Sequence, residues 1–321
     1  MRWQWKARIQ RLLSTVPAGN SLYYLLQRHV TRTLPQSIAK FHEVFDIEAR
    51  HVRAYEEFSD RPLREAVFFQ FGAGWTMAGP LTFYGLGVEQ QILVDIRRLI
   101  RPWLINHSIE LLANPEFRSR LQRDVPSLSS RHANAVVSEL QARYGIDYRA
   151  PADARSTGLP AGSIDCVTST NTLEHIPRED IAGILKECFR ILRPGGLMSF
   201  QVDYQDHYSY FDRSVSVYNF LRYSDREWQQ FNPSLHYQNR MRHADYLSLY
   251  ANAGFEVLED APFTGTPADR KFIESLQLDA RFQGRSPEEL AIRTSRIVLQ
   301  KPVTVNSATV SDSPAEILMT N

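Results

Sequence analysis

The stretch from residue 164 to residue 202 constrains the fold more strongly than any other part of the chain. Short apolar segments over 164–169 and 197–202 flank a region whose apolar residues recur at positions 181, 184, 185, 188, 189 and 192. That spacing places them on one face of an amphipathic helix. Acidic residues begin this helix and Pro194-Gly195-Gly196 ends it, as helix start and stop signals require. A strand, a helix and a second strand in this order are typical of a parallel sheet.

The same alternation continues on both sides of this stretch. Short apolar segments predict further strands over 66–71, 91–94, 148–150, 255–258 and 296–300. Helical spacing predicts helices over 47–58, 96–112 (interrupted by Pro102) and 244–253. We therefore expect an α/β fold with a mostly parallel sheet that is covered on both faces.

Composition excludes several classes of protein. The 321 residues carry a formal net charge of +1, so nothing in the overall charge favours nucleic acid. Both cysteines, Cys166 and Cys188, fall in predicted buried positions without metal-ligand spacing, which favours a reducing, cytoplasmic compartment. No apolar run is long enough to cross a bilayer.

Two segments have an unusual composition. Residues 1–40 carry seven basic groups and no acidic group, and residues 1–14 form a basic amphipathic segment. Such a segment is expected either to lie on an anionic membrane surface or to dock on the domain with its basic face in solvent. Residues 204–242 are rich in aromatic side chains, which suit either a substrate-binding cap or packing within that cap.

Ligands in parallel α/β sheets bind beyond the carboxyl ends of the strands, where this sequence places glycine and polar residues. The candidates, in chain order after the first four strands, are Gly72 and Gly74, then Asp95, then Asp153 with Ala154, then Asn171. A dinucleotide fingerprint needs a third glycine where Met77 stands, and no P-loop lysine follows. A ribose-binding acid without a phosphate cradle suits a nucleoside cofactor that has no phosphates, such as S-adenosylmethionine.

These motifs resemble those of the class I S-adenosylmethionine-dependent methyltransferases. The resemblance runs from about Val67 to Lys301 and is strongest over 162–167, 173–176 and 190–196, with a further match over 246–257. It implies a doubly wound, seven-stranded, mostly parallel Rossmann-like sheet with a helical, aromatic-rich cap. The implied organisation is a basic helical segment over 1–60, a methyltransferase domain over 61–301 with insertions at about 113–145 and 204–242, and a flexible tail over 302–321.

The resemblance also implies roles for the candidate cofactor residues. Gln70, Gly72, Ala73 and Gly74 would surround the methionine part of S-adenosylmethionine, and Asp95 would bind the ribose. Asp153 would accept from the adenine amino group beside Ala154, and Asn171 would contact the cofactor through its backbone or amide. The family usually has an acid where Gln70 stands and a glycine where Thr76 stands, so the methionine contacts of this chain differ from the usual ones.

Transfer of a methyl group to a high-pKa oxygen needs a general base. We expect His175 or His207 to act as that base, with Asp203 as a further catalytic candidate. No metal ligand is assigned, although Asp203, Asp206 and His207 could alternatively hold a divalent ion that lowers the pKa of a hydroxyl. A loop with solvated polar side chains explains the same residues.

The sequence therefore predicts an S-adenosylmethionine-dependent methyltransferase. We expect it to O-methylate a small molecule or a sugar of a surface glycan or glycolipid, and to be cytoplasmic with a peripheral membrane contact through residues 1–14. Two alternatives are a non-catalytic methyltransferase-like interaction protein and a Rossmann-type enzyme with a nucleotide cofactor.

Overall fold

A computed structural model describes residues 2–16, 19–130 and 132–303. Seven strands form one sheet in the order β3-β2-β1-β4-β5-β7-β6. The first five strands pair in parallel, and β7 is antiparallel to both of its neighbours. The strands are β1 (Val67–Phe71), β2 (Gln90–Val94), β3 (Ile146–Arg149), β4 (Ile164–Thr170), β5 (Leu192–Asp203), β6 (Glu256–Phe263) and β7 (Thr294–Gln300).

Twelve α-helices are present among the described residues. The first seven are α1 (Trp3–Ser14), α2 (Gly19–His29), α3 (Ile38–Phe58), α4 (Ala78–Gly85), α5 (Pro102–Leu112), α6 (Pro115–Arg118) and α7 (Ala133–Tyr144). The remaining five are α8 (Arg178–Ile191), α9 (Asp225–Trp228), α10 (His243–Asn252), α11 (Pro267–Glu274) and α12 (Pro287–Leu290). Within the described ranges, no helix is both long enough and apolar enough to span a bilayer.

The two faces of the sheet carry separate hydrophobic cores because successive strand residues point in opposite directions. Phe68 and Cys166 pack with side chains of α3, α4, α5 and α7 on one face. Phe69 and Val167 pack with side chains of α8 and α10 on the other face. The predicted doubly wound, mostly parallel, seven-stranded sheet is therefore confirmed, and both cysteines are buried thiols, as predicted.

Some element boundaries differ from the predicted ones. Helix α3 begins at Ile38 rather than at residue 47, because Ser37 caps it and Phe41 and Phe45 are buried in the core. Strand β5 begins at Leu192 rather than at residue 197, because Leu192 already pairs with Ile164 across a register shift. The helix expected from residue 96 begins only at Pro102, where proline is well tolerated in a first turn.

The segment 204–242 forms a cap of short helical turns over the carboxyl end of β5. Its aromatic core contains Tyr208, Phe220 and Trp228, and Trp3 of α1 packs among them with 5% of its surface exposed. The alternative that most of these aromatic residues pack within the cap is therefore the one observed. The tail expected over 302–321 lies outside the described residues from residue 304 onward.

Candidate active site

A cavity of about 480 Å³ opens at the carboxyl edge of the sheet, where β1, β2 and the loop after β3 meet α8. This edge is the topological switch point of the fold, because β1 connects to β2 on one side and lies beside β4 on the other. The walls include Gly72, Asp95, Asp153, Ala154 and His175. Three predicted positions from three different strands thus face one cavity.

The turn after β1 requires glycine at two positions. Gly72 has a φ of +80°, and a Cβ there would lie 2.6 Å from Cγ2 of Thr172, which follows β4. Gly74 also has a positive φ, of +66°, a region that side-chain-bearing residues rarely adopt. The turn therefore brings bare backbone against the loop after β4 and leaves the cavity open above it.

Asp95 is held rigidly at the end of β2. Its Oδ2 accepts a hydrogen bond from the amide of Gly74 at 3.1 Å, and its Oδ1 accepts from the amide of Arg97 at 2.9 Å. Burial raises the pKa of Asp95, and the two amides oppose that rise. The carboxylate is thus fixed against the glycine turn while it lines the cavity.

Asp153 forms a forked ion pair with Arg155 on the cavity wall, with Oδ2 2.6 Å from Nη2. Arg155 lowers the pKa of Asp153 through this side-chain contact and through its amide. The same guanidinium also contacts Asp180 of α8. Ala154, which follows Asp153, is buried and lines the cavity beside it.

Four of the predicted cofactor residues lie outside the cavity lining that the described residues form. Ala73 and Gly74 are in the turn beside it, and Gln70 is buried behind the turn next to Glu48. Asn171 has a φ of +49°, and its backbone amide donates to the backbone carbonyl of Gln201. Among the described atoms, the side-chain oxygens of Gln70 and Asn171 have no hydrogen-bond partner.

A second group of polar residues lies where the loops after β4 and β5 meet the cap. The rings of His175 and His207 are 4.9 Å apart between centroids. Asp203 lies at the end of β5 with Oδ2 3.3 Å from Nε2 of His207. His175 belongs both to this group and to the cavity wall, so it connects the two regions. All three predicted catalytic residues are therefore brought together.

The electrostatics of this group are unusual. The surrounding protein partly shields the His175 ring from water, and this desolvation lowers the pKa of His175 to about 4. The neighbouring His207 lowers it further. Burial alone would raise the pKa of Asp203, but contacts with His207, Tyr210 and the amide of Gln205 outweigh it and lower the pKa.

Asp206 does not join the group, so the set of Asp203, Asp206 and His207 considered as a metal site is not assembled. Its carboxylate is fully buried and caps the turn at 207–210 by accepting from the amide of Tyr208 at 2.9 Å. The other carboxylate oxygen of Asp206 accepts from the side-chain amide of Asn219 at 2.9 Å.

Some features of the site were not predicted from the sequence, among them the burial of Glu174. Glu174 is buried beside His175, and neither of its carboxylate oxygens has a hydrogen-bond partner among the described atoms. Ser234 and Tyr237 reach the cavity from the cap. The aromatic composition of 204–242 marked the segment but did not distinguish Tyr237 from the aromatic residues buried inside the cap.

Comparisons with known proteins agree with this architecture. Residues 127–200 match the family described as a methyltransferase domain. A protein of Mycolicibacterium smegmatis, named a probable S-adenosylmethionine-dependent methyltransferase, is 31% identical over 124 residues, which are 38% of this chain and 40% of that protein. A ubiquinone biosynthesis O-methyltransferase of Pseudomonas paraeruginosa is 23% identical over 158 residues, which are 49% of this chain and 64% of that protein.

The matches thus span less than two thirds of the length of either relative. Among solved structures, an S-adenosylmethionine-dependent methyltransferase from Mesorhizobium loti aligns with a TM-score of 0.40 and 15% identity, over 80% of this chain and 99% of that one.

Proposed function

We propose that this chain, parts of which are similar to S-adenosylmethionine-dependent methyltransferases, is such an enzyme and O-methylates a small molecule or a sugar. One observation carries the proposal: His175 lines the cavity of Gly72, Asp95 and Asp153 and also packs against His207 beside Asp203. The cavity is the proposed cofactor site, and the polar group is the proposed acceptor site. His175 belongs to both, which supports two adjacent sites, as direct transfer between two bound molecules requires.

The residues around the cavity fit an adenosine without phosphates. Gly72 lines the cavity without a side chain, and the buried carboxylate of Asp95 is suited to accept hydrogen bonds from ribose hydroxyls. Asp153 would accept from the adenine amino group, with Ala154 beside the ring. S-adenosylmethionine supplies a methyl group on a sulfonium sulfur, which a nucleophile displaces directly. Gln70, Ala73, Gly74 and Asn171 would surround its methionine end.

An aliphatic hydroxyl holds its proton at neutral pH, so the acceptor site must promote the loss of that proton. His175, His207 and Asp203 are the groups in position to do so. Because its pKa is lowered to about 4, His175 is neutral at pH 7 and has a nitrogen lone pair available. Asp203 orients His207 through their 3.3 Å contact, much as carboxylates orient imidazoles in other active sites.

A glycan or glycolipid acceptor is supported by the surface of α1. Trp5, Arg8, Ile9 and Leu12 form one face of this helix that remains exposed after Trp3 has docked on the cap. An apolar face with arginines and no acid suits the surface of an anionic membrane. We therefore include a peripheral membrane contact through residues 1–14 in the proposed function, which would bring the site close to a lipid-linked acceptor.

The cofactor assignment is tested by thermal unfolding of the full chain with S-adenosylhomocysteine or NADH. We expect S-adenosylhomocysteine alone to raise the unfolding temperature, because a ligand that binds only the folded state stabilises it. Stabilisation by NADH alone would instead favour a nucleotide-cofactor enzyme. The acceptor is sought by mass spectrometry of metabolites and glycans from cells with and without the gene, as a species that gains the mass of one methylene group.

The membrane contact is tested by sedimentation with vesicles. We expect binding to vesicles that contain an anionic lipid and weak binding to neutral ones. Replacing Trp5 and Leu12 with glutamate should abolish the binding, whereas the matched control Phe272→Glu, an exposed apolar residue on α11, should not. Equal binding by both variants would show that α1 does not mediate the contact.

A further inference from the structure

We propose that Glu174, His175 and His207 bind a divalent transition-metal ion that holds the acceptor; this inference rests on the proposed function. One ligand atom from each of the three side chains lies within 4.8 Å of the other two. The site lies outside the proposed cofactor residues, and His175 connects it to the cavity.

Glu174 is the residue that most clearly lacks a partner. Glu174 lies in the turn that follows β4, and its exposed fraction is 3%. Neither of its carboxylate oxygens has a hydrogen-bond partner among the described atoms. A buried carboxylate without donors is costly unless a cation or a proton compensates it. Its backbone carbonyl is fixed by the amide of Asn239 from the cap at 2.9 Å. The carboxylate is thus held close to two imidazoles without a hydrogen-bond donor among the described residues.

The two imidazoles have the surroundings that metal-bound histidines have. Such histidines usually donate their second ring nitrogen to a carbonyl or a carboxylate, which fixes the tautomer. Nδ1 of His175 lies 2.7 Å from the carbonyl of Tyr237, which leaves Nε2 as the nitrogen with a free lone pair. Nε2 of His207 lies 3.3 Å from Oδ2 of Asp203, but it forms no hydrogen bond with the described atoms. His175 therefore has one oriented nitrogen and one available nitrogen, and His207 has a buried nitrogen without a hydrogen-bond partner.

Asp203 is itself positioned by its neighbours. Its Oδ1 accepts from the amide of Gln205 at 2.9 Å, and its Oδ2 accepts from the hydroxyl of Tyr210. The Tyr210 ring also stacks on His207, with the ring centroids 5.2 Å apart. Asp203 thus has the role of a positioning residue for His207 rather than that of a metal ligand.

The ligand types indicate which ions would bind. Two imidazoles and one carboxylate favour zinc, iron, cobalt, nickel or manganese over magnesium and calcium, which prefer oxygen ligands. Three protein ligands leave further coordination positions open. An acceptor with two adjacent oxygens, such as a sugar with vicinal hydroxyls, would fill two of them.

Binding of a hydroxyl to the ion would lower the pKa of that hydroxyl. The hydroxyl proton would then leave to solvent, which reaches the site at the exposed edge of His175. The oxygen would form a bond to the methyl carbon as the carbon–sulfur bond breaks, and the bonding electron pair would remain on sulfur as a thioether. The products are a methyl ether, S-adenosylhomocysteine and one proton, so the step needs no oxidant or reductant.

Binding of Co²⁺ to the EDTA-treated full chain tests this site without an activity assay. We expect one ion per chain by elemental analysis and a visible absorption band from Co²⁺ bound to nitrogen ligands. Glu174→Gln and His175→Ala should each weaken Co²⁺ binding by about 100-fold or more, since loss of a direct ligand exceeds the roughly 10–100-fold effect of losing an outer-shell partner. Mg²⁺ should not compete at equal concentration.

Two matched controls test whether the ion binds surface groups instead. Glu57→Gln and His132→Ala change exposed residues and should leave Co²⁺ binding unchanged. Glu174→Gln keeps the size of the side chain, and circular dichroism will show whether it folds. The proposal is overturned if the intact chain binds no Co²⁺, or if folded Glu174→Gln binds it as the intact chain does.

The same samples separate this proposal from the proposed function. If S-adenosylhomocysteine stabilises the chain and Co²⁺ does not bind, the methyltransferase proposal stands and the metal site is refuted. If Co²⁺ binds at the named residues and S-adenosylhomocysteine does not bind, the cofactor proposal fails while the metal site remains.

Discussion

The two halves of the candidate site differ in how the protein satisfies their polar groups. On the cofactor side, Asp95 already accepts two backbone hydrogen bonds and Asp153 is paired with Arg155. On the acceptor side, the Glu174 carboxylate has no hydrogen-bond partner among the described atoms, although its exposed fraction is 3%. A hydrogen-bonded carboxylate is preorganised to accept from a neutral group such as a ribose hydroxyl, whereas an unpaired buried one requires a cation or a proton. We therefore expect the two halves to bind chemical groups of different charge.

The largest effect should come from removing the Asp95 carboxylate, which we propose to bind the ribose. Asp95→Asn replaces an ionic acceptor with a neutral amide, and we expect about 10–100-fold weaker binding of S-adenosylhomocysteine by calorimetry, since hydrogen bonds to charged groups contribute about 1.5–3 kcal/mol. Co²⁺ binding should not change. A parallel loss of both ligands would show that the two halves are one coupled site and would break the comparison.

Asp203→Asn should affect the other ligand. The amide keeps the shape but orients His207 less strongly, so Co²⁺ affinity should fall by about 10–100-fold, as is typical for outer-shell partners of metal ligands. S-adenosylhomocysteine affinity should stay within about two-fold, because Asp203 does not line the cofactor cavity. Asp124→Asn, at an exposed position, is the matched control for both titrations.

Another buried acid, Glu48, has one hydrogen-bond donor where Glu174 has none. Its exposed fraction is 2%, it accepts one hydrogen bond from Thr170 at 3.2 Å, and burial raises its pKa to about 8. The folded state therefore holds a proton that the unfolded state releases above pH 4.5, so stability falls as pH rises through this window. His51 beside it has a pKa that burial lowers to about 3, so it removes stability only below pH 6.5.

Between pH 6.5 and 8, Glu48 therefore acts without His51. We expect the free energy of unfolding to fall by about 2 kcal/mol over this interval relative to Glu48→Gln, because one pKa unit corresponds to about 1.4 kcal/mol. Urea denaturation at the two pH values measures the difference. Parallel pH profiles for the two proteins would show that Glu48 is compensated by another group, and would weaken the distinction drawn between it and Glu174.

Most of the sheet could be predicted from the sequence because buried parallel strands are short apolar runs that end in polar or glycine residues. β1, β2 and β4 begin and end within about one residue of the predicted positions. Gly72, Asp95 and Asp153 were identifiable because each follows a strand, and the strand ends fix where the side chains can meet. These inferences needed only the order of elements along the chain.

The burial of Glu174 and the position of Tyr237 on the cavity wall were not predicted, for a different physical reason. The burial of Glu174 depends on the cap, whose Asn239 donates to the Glu174 carbonyl and also to the carbonyls of Leu173 and Ile176. That contact joins residues 65 positions apart in a region of irregular structure, where neither helical nor strand periodicity applies. The aromatic residues of the cap could not be told apart by composition, although half of them are buried and Tyr237 lines the cavity.

The smallest effect should come from Arg155, and it refines the comparison on the cofactor side. Arg155→Ala removes the ion-pair partner of Asp153 and keeps the Asp153 carboxylate. Exposed ion pairs of this kind contribute little to the stability of the fold. We expect S-adenosylhomocysteine binding to weaken by about two- to five-fold, with an unchanged unfolding temperature, because Arg155 acts by orienting Asp153 toward the cavity. The matched control Arg226→Ala changes an exposed arginine of α9 and should have no effect. Tighter binding would mean that Arg155 competes with the ligand for Asp153, so that this carboxylate, unlike Asp95, is blocked rather than preorganised.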